Sequence, residues 1–225
     1  MPIAIHLRTD IENCLYRDAI IESIASGLGN QVLLCSGFFQ ENFHGSAYQA
    51  TAEPGLIAGL RNHNVQIETF GIHNYSWLPS YKMFCGHLRA GGVNVTAWIQ
   101  KGFQWHAKVF ILKKDGVPVF GIVGSSNITA NAFGTRNDPP ELTDSPNPPK
   151  RFNYETDVFL WEESNDTVNK VISNILFPQD RATENNLSIR ARYFADDNNG
   201  LSITQRLSQL ENEVRSAGPH QELEL

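Results

Sequence analysis

Cysteine is scarce in this chain: Cys14, Cys35 and Cys85 are the only three among 225 residues, far apart and each inside an apolar segment. That spacing excludes a disulfide framework, and it contains neither Cys-x-x-Cys nor a zinc-ligand pattern, so the three are expected as reduced core thiols. Long apolar runs are lacking as well. No stretch approaches the ~20 apolar residues that span a bilayer, and residues 1–10 lack a basic region followed by a long apolar stretch, so a soluble, cytoplasmic protein with no membrane partner is expected. Nor is there an excess of positive charge. The 18 Lys and Arg against 24 Asp and Glu give a net charge of -6 and a pI near 5.6, which excludes a whole-surface attraction to polyanions. A polyanion must meet a local patch, for which Lys101, Lys108, Lys113 and Lys114 are the candidates. Internal repeats, zinc fingers and a legible recognition helix are absent, as is any acidic cluster suited to magnesium, so neither a metal nor a cofactor is expected.

With 41% hydrophobic residues the chain can bury a substantial core, and one domain over residues 1–217 is expected, with 218–225 as a flexible tail. Asp10 or Thr9 can cap a helix running to about Leu28, with Cys14, Ile21, Ala25 and Leu28 on one stripe. Val32 to Cys35 reads as a buried strand. A short helix opening at Pro54 and a strand with Val65, Ile67 and Thr69 follow, then a helix from Pro79 to Ala90 stopped by Gly91-Gly92, and a strand with Val93, Val95, Ala97 and Ile99. This βαβαβ run predicts an α/β fold, a sheet covered by helices. Residues 36–52, with Phe38, Phe39, Phe43 and His44, begin where such sheets commonly place ligand loops; they read either as a wall of a substrate cleft or as a loop pinned by its aromatics. Further on, Ser164 can cap a helix carrying Val168, Ile172 and Ile175, and residues 201–215 read as a last helix.

The chain is organised around residues 105–127. Its first half alternates with period two, so Trp105, Ala107, Val109 and Ile111 share one face while His106, Lys108, Phe110 and Leu112 share the other. Asp115-Gly116 tolerates the positive φ of a tight turn, and Val117 to Val123 returns antiparallel, making the sheet mixed. Gly124-Ser125-Ser126-Asn127 ends that strand and predicts a helix from Ile128, capped by Ser126 or Ser125, whose first turn would suit a phosphate.

His106-x-Lys108 followed across a hairpin by Gly124-Ser125-x-Asn127, and later by Asn153-x-Glu155, resembles the phospholipase D superfamily. The family motif also carries an Asp, which would fall at Lys113; the nearest acid, Asp115, sits in the predicted turn. Within the superfamily that Asp is also absent from the tyrosyl-DNA phosphodiesterases and from a group of restriction-endonuclease catalytic domains, so the departure weakens a lipase reading more than a nuclease reading. A proline-rich insertion over 134–150 separates the second and third motifs and is longer than ordinary connections.

The resemblance implies a mixed-sheet, phospholipase D-like single domain and a phosphodiester hydrolase that uses no metal. His106 would attack phosphorus to give a phosphohistidine, and a second His would protonate the leaving alkoxide. Lys108 and Asn127 would bear the transition-state charge, and Ser125, Ser126 and Lys108 would bind the substrate phosphate. Glu155 would fix the tautomer of His106, with Asp157 as the competing candidate. There is one His-x-Lys in the chain, so two copies in a homodimer would share one site. Nucleic acid is the expected substrate, DNA ahead of RNA, with sequence recognition left open to a separate subunit. A lipid or small-molecule phosphodiesterase, favoured by an uncharged cleft around Phe38, Phe39 and Trp77, and a non-catalytic interaction module of the same fold stand as alternatives.

Overall fold

The computed structural model describes residues 2–8, 14–72, 74–100, 107–134, 154–177 and 187–225. Its strands are β1 (Ile3–Arg8), β2 (Gln31–Ser36), β3 (Gln66–Ile72), β4 (Asn94–Gln100), β5 (Lys108–Lys114), β6 (Val117–Gly124), β7 (Glu155–Trp161), β8 (Leu187–Ala191) and β9 (His220–Glu222). The helices are α1 (Leu15–Ala25), α2 (Leu56–Asn62), α3 (Leu78–Ala90), α4 (Asp166–Leu176) and α5 (Ile203–Ser216). The nine strands form one sheet in the order β8-β1-β7-β6-β5-β2-β3-β4-β9. β2, β3 and β4 run parallel, and every other neighbouring pair is antiparallel, which is the mixed α/β sheet the sequence predicts.

β5 lies at the centre, and Val109, Phe110, Ile111 and Leu112 are all fully buried, so both faces of the sheet are covered. The strand pairing aligns Leu34, Phe110, Ile122 and Phe159 in one row, in the core cluster that includes apolar residues of α1, α2, α3 and α4. Leu33, Cys35, Phe70, Val109 and Ile111 point the other way, against Leu210 and Val214 of α5. Gly121 is what lets α5 approach: a Cβ there would lie 2.4 Å from Leu207. Asp115 and Gly116 adopt φ of 50° and 86°, as a two-residue hairpin turn between β5 and β6 requires.

Several expectations are corrected. Residues 3–8, unassigned by pattern, form β1, second from one edge of the sheet, and α1 is shorter than the helix expected from Asp10 to Leu28; Thr9 and Asp10 lie outside the described residues. Asn165 rather than Ser164 caps α4, accepting from Val168 N at 3.2 Å. The flexible tail expected over 218–225 instead carries β9, which pairs with β4 through Trp98 and Glu222; Leu223 is buried and Arg89 Nη1 donates to Leu225 O at 2.8 Å. The insertion over 134–150 lies, beyond Gly134, outside the described residues. Among the described residues no helix is long and apolar enough to cross a membrane. All three cysteines are free and buried.

Candidate active site

The carboxyl ends of β2, β3 and β4, the start of β5, the end of β6, the start of β7 and the end of β1 meet at one end of the sheet. Ligands of open α/β sheets bind at such ends. His106 lies outside the described residues, one position beyond Ala107 at the entry to β5. Lys108 opens β5 and is only 5% exposed. Burial pulls its ammonium below the usual lysine value, opposed chiefly by Glu155 and more weakly by Cys35 and Asp157. Cys35 is no rival nucleophile, since burial pushes its thiol up to about 12.

From Lys108 the register runs across the sheet to Gly124, Asp157, His6 and Ser188, five residues in one row on one face. Gly124 leaves the gap that Asp157 fills, because a Cβ there would meet Asp157 Oδ1 at 1.9 Å. Lying across β6, the Asp157 carboxylate accepts from Ser126 N at 3.3 Å and Ser126 Oγ at 2.6 Å. Burial pushes this carboxyl up to about 6, against the lowering effect of the Ser126 hydrogen bonds. Glu155 and Arg8 pair one step further along the same face. The Ser125 hydroxyl donates to Glu155 Oε2 and accepts from Thr156 N at 3.0 Å, while Ser125 N donates to Thr156 O at 3.1 Å. Two successive serines thus tie the end of β6 to two alternate carboxylates of β7.

Asn127 joins this loop to the end of β2. Its Oδ1 accepts from Phe38 N at 3.1 Å and Ser36 Oγ at 3.2 Å. The backbone donor fixes which end of the amide is oxygen, and the Nδ2 hydrogens are its remaining polar capacity. The helix expected from Ile128 does not form. Ile128 N donates to Phe38 O at 3.2 Å and Gln40 N donates to Ile128 O at 2.8 Å, a short parallel bridge that occupies both the N–H a first helical turn would present and the carbonyl it would use for its own ladder. Residues 129–134 close a turn instead, with Phe133 N donating to Thr129 O at 2.7 Å. Neither Ser125 nor Ser126 is a helix cap.

Of the two readings offered for the loop over 36–52, the structure shows the loop pinned by its aromatics. Phe38 packs on Trp77 and Phe43 with ring centroids 5.2 and 4.8 Å apart, all three half-buried on loops at this end of the sheet. Phe39 is not part of a cleft wall: it is buried between Tyr81 and Phe84. Fully buried Glu41 pins the loop to α3, with His87 Nδ1 at 2.7 Å and Ser80 Oγ accepting from Glu41 N at 2.7 Å. The expected lysine patch does not assemble. Lys113 is at the far end of β5 and pairs with Glu211 at 2.6 Å, Lys114 is beside it, and Lys101 lies outside the described residues. Asp115 is also at that far end, bonded to Asn30.

Three side chains in this region carry no sequence motif. Arg8, buried at the end of β1, donates from Nη1 to Asn131 O at 3.0 Å and supplies a second cation beside Glu155. His6 is buried with Nδ1 2.9 Å from Ser188 Oγ; burial, and then Arg8, bring it down to about 4. Tyr16 on α1 is buried, and its hydroxyl, like His6 Nε2, has no hydrogen-bond partner among the described residues. Burial raises the Tyr16 hydroxyl well above the usual value, with Asp157 the strongest charge acting on it. The available signal was the alternation of residues 3–8, which would have shown a strand but with Ile3, Ile5 and Leu7 inward. The structure buries Ala4, His6 and Arg8 instead. Among the described residues no three His, Cys, Asp or Glu side chains are grouped to hold a metal ion.

Residues 60–177, just over half of the chain, match the family described as NgoFVII restriction endonuclease N-terminal PLD domain. The chain belongs to this family. In this PLD domain the matched stretch holds Lys108, Asn127, Glu155 and Asp157, while β1 and α1, which bring His6, Arg8 and Tyr16, precede it. No curated protein matches the chain by sequence. Among solved structures it is similar to Nuc from Salmonella typhimurium, a phospholipase D family member, at 15% identity over 76% of this chain and 89% of that one, with a TM-score of 0.36. It is also similar to TrmBL2, an archaeal chromatin protein, at 13% identity and a TM-score of 0.36, over 78% of this PLD domain chain and 50% of that one.

Proposed function

We propose that the protein is a metal-independent phosphodiesterase of the nuclease kind, cutting DNA through His106. The observation that carries this is the gathering of buried Lys108 and Arg8, half-buried Asn127 and the serine-linked carboxylates Glu155 and Asp157 at one end of the sheet, in a chain that belongs to a restriction-endonuclease PLD family. One ring nitrogen of His106 attacks phosphorus while the bond from phosphorus to the leaving oxygen breaks. A second imidazole gives that oxygen its proton. The second imidazole then takes a proton from water, whose oxygen displaces His106 from phosphorus and regenerates the enzyme. Lys108 and the Asn127 amide meet charge that builds on the equatorial oxygens, in a site where burial strengthens each contact. Glu155 sets the His106 tautomer, and Ser125, whose hydroxyl is given to Glu155, contributes through its position rather than as a free phosphate ligand. That His-x-Lys occurs once supports a second imidazole supplied by another copy, in a homodimer with one shared site.

The half-buried ring group of Phe38, Phe43 and Trp77 suits stacking of unpaired bases, and would serve an acyl chain equally well. A lipid phosphodiesterase is therefore the second reading. The test is hydrolysis of plasmid DNA, RNA, a chromogenic diester and phosphatidylcholine vesicles in excess chelator. DNA cleavage that persists with chelator, vanishes in His106→Ala and falls by roughly a hundredfold or more in Lys108→Ala is the expected result. Cleavage that requires added magnesium would overturn the mechanism, and vesicle hydrolysis without DNA cleavage would favour the lipid reading.

A further inference from the structure

One carboxylate, Glu155, suffices to orient His106, yet the region holds a second. Asp157 is 1% exposed and lies across Gly124, the one residue between it and Lys108 in the cross-strand row. Charged or titratable groups face it from each packed element: His6 and Arg8 on β1, Lys108 on β5, Glu155 on its own strand, and Tyr16 on α1. Among the described residues, Lys108 and Arg8 balance Glu155 and Asp157, two against two. A phosphodiester entering beside Lys108 would add a third negative charge among groups already removed from water, where like charges a few ångströms apart repel by several kcal/mol at an effective dielectric near 20. A proton relieves that excess at least cost on Asp157, the more deeply buried of the two carboxylates.

We propose that Asp157 is a positioning residue that takes up a proton when a phosphate group binds beside Lys108, while its contact with Ser126 holds residues 124–127 in place. The inference rests on the phosphodiesterase reading. Burial already pushes the empty-site carboxyl up to about 6, so a modest further rise brings it into the neutral range. Bound anion and protonated Asp157 then favour one another, and anion affinity falls as pH rises.

The experiment is calorimetric titration with sulfate, a tetrahedral anion that does not itself titrate between about pH 5 and pH 8, in two buffers of different ionisation enthalpy. Wild type should take up more protons on binding than Asp157→Asn, and its sulfate affinity should fall more steeply with pH, by up to about tenfold per unit. The imidazoles of His6 and His106 would contribute to both proteins, so the difference isolates Asp157. Lys108-dependent binding with equal proton uptake in the two proteins overturns the inference alone. Binding that survives Lys108→Ala unchanged removes the phosphate site, and with it both the reading and the inference. If Asp157→Asn does not fold, Ser126→Ala serves instead: losing its hydroxyl should move the pH midpoint of sulfate binding upward, and an unmoved midpoint overturns the assignment.

Discussion

His6 and Asp157 face one another across β1 and β7, and burial moves them in opposite directions. His6 is brought from 6.5 to about 4, so between those values the unfolded chain holds a proton that the folded one lacks, and stability rises with pH. Asp157 is pushed from 3.8 to about 6; there the folded chain keeps a proton that the unfolded one has lost, and stability falls as pH rises. Each slope is at most about 1.4 kcal/mol per pH unit, and over the shared window they offset one another. Relative to wild type, His6→Gln should therefore lose stability as pH rises from about 4 to 6, and Asp157→Asn should gain it. Urea midpoints across that window measure both. Variant curves running parallel to wild type would show that the two groups titrate alike in the folded and unfolded states.

At the scale of elements, β9 makes the strongest departure from expectation and offers a direct test. Removing residues 218–225 strips three register pairs from β4 and exposes the surface under Leu223, a loss of about 2–3 kcal/mol from the leucine alone. Thermal unfolding should show a lower midpoint for the truncated chain, whereas a free tail would leave it unchanged. The composition of 218–225, polar with one Pro and one Gly, gives no strand signal; only the unpaired edge of β4 makes it one. Patterns that depend on neighbours in sequence were legible: the Asp115-Gly116 hairpin, the β2-α2-β3-α3-β4 run and the stop of α3 at Gly91. Patterns settled by distant partners were not. The turn after Asn127 replaces a helix because the end of β2 reaches the Ile128 backbone first, and β1 hides because its inward side chains include His6 and Arg8. For the site, the motifs singled out Lys108, Asn127 and Glu155, which the structure brings to one end of the sheet, and the serine contacts emerged only from register.

For the whole molecule, the shared-site reading predicts that mixing His106→Ala chains with wild type and allowing exchange yields heterodimers of little activity, because each shared site retains one imidazole of two. Sedimentation at assay concentration, run beside the mixing series, checks it: a fully active monomer would require another acid in the same chain. The order in which the chain is made has its own bearing on when any activity can exist. β1 is made before the other strands of the sheet, but its central partner is β7, so Ala4 must wait for Phe159 and Arg8 for Glu155. Pairings this far apart in sequence close late and slowly. Arg8, Lys108, Glu155 and Asp157 therefore come together only once β7 has been synthesised, and a nascent chain that stops short of it carries the Lys108 and Asn127 motifs without the charge balance that surrounds them.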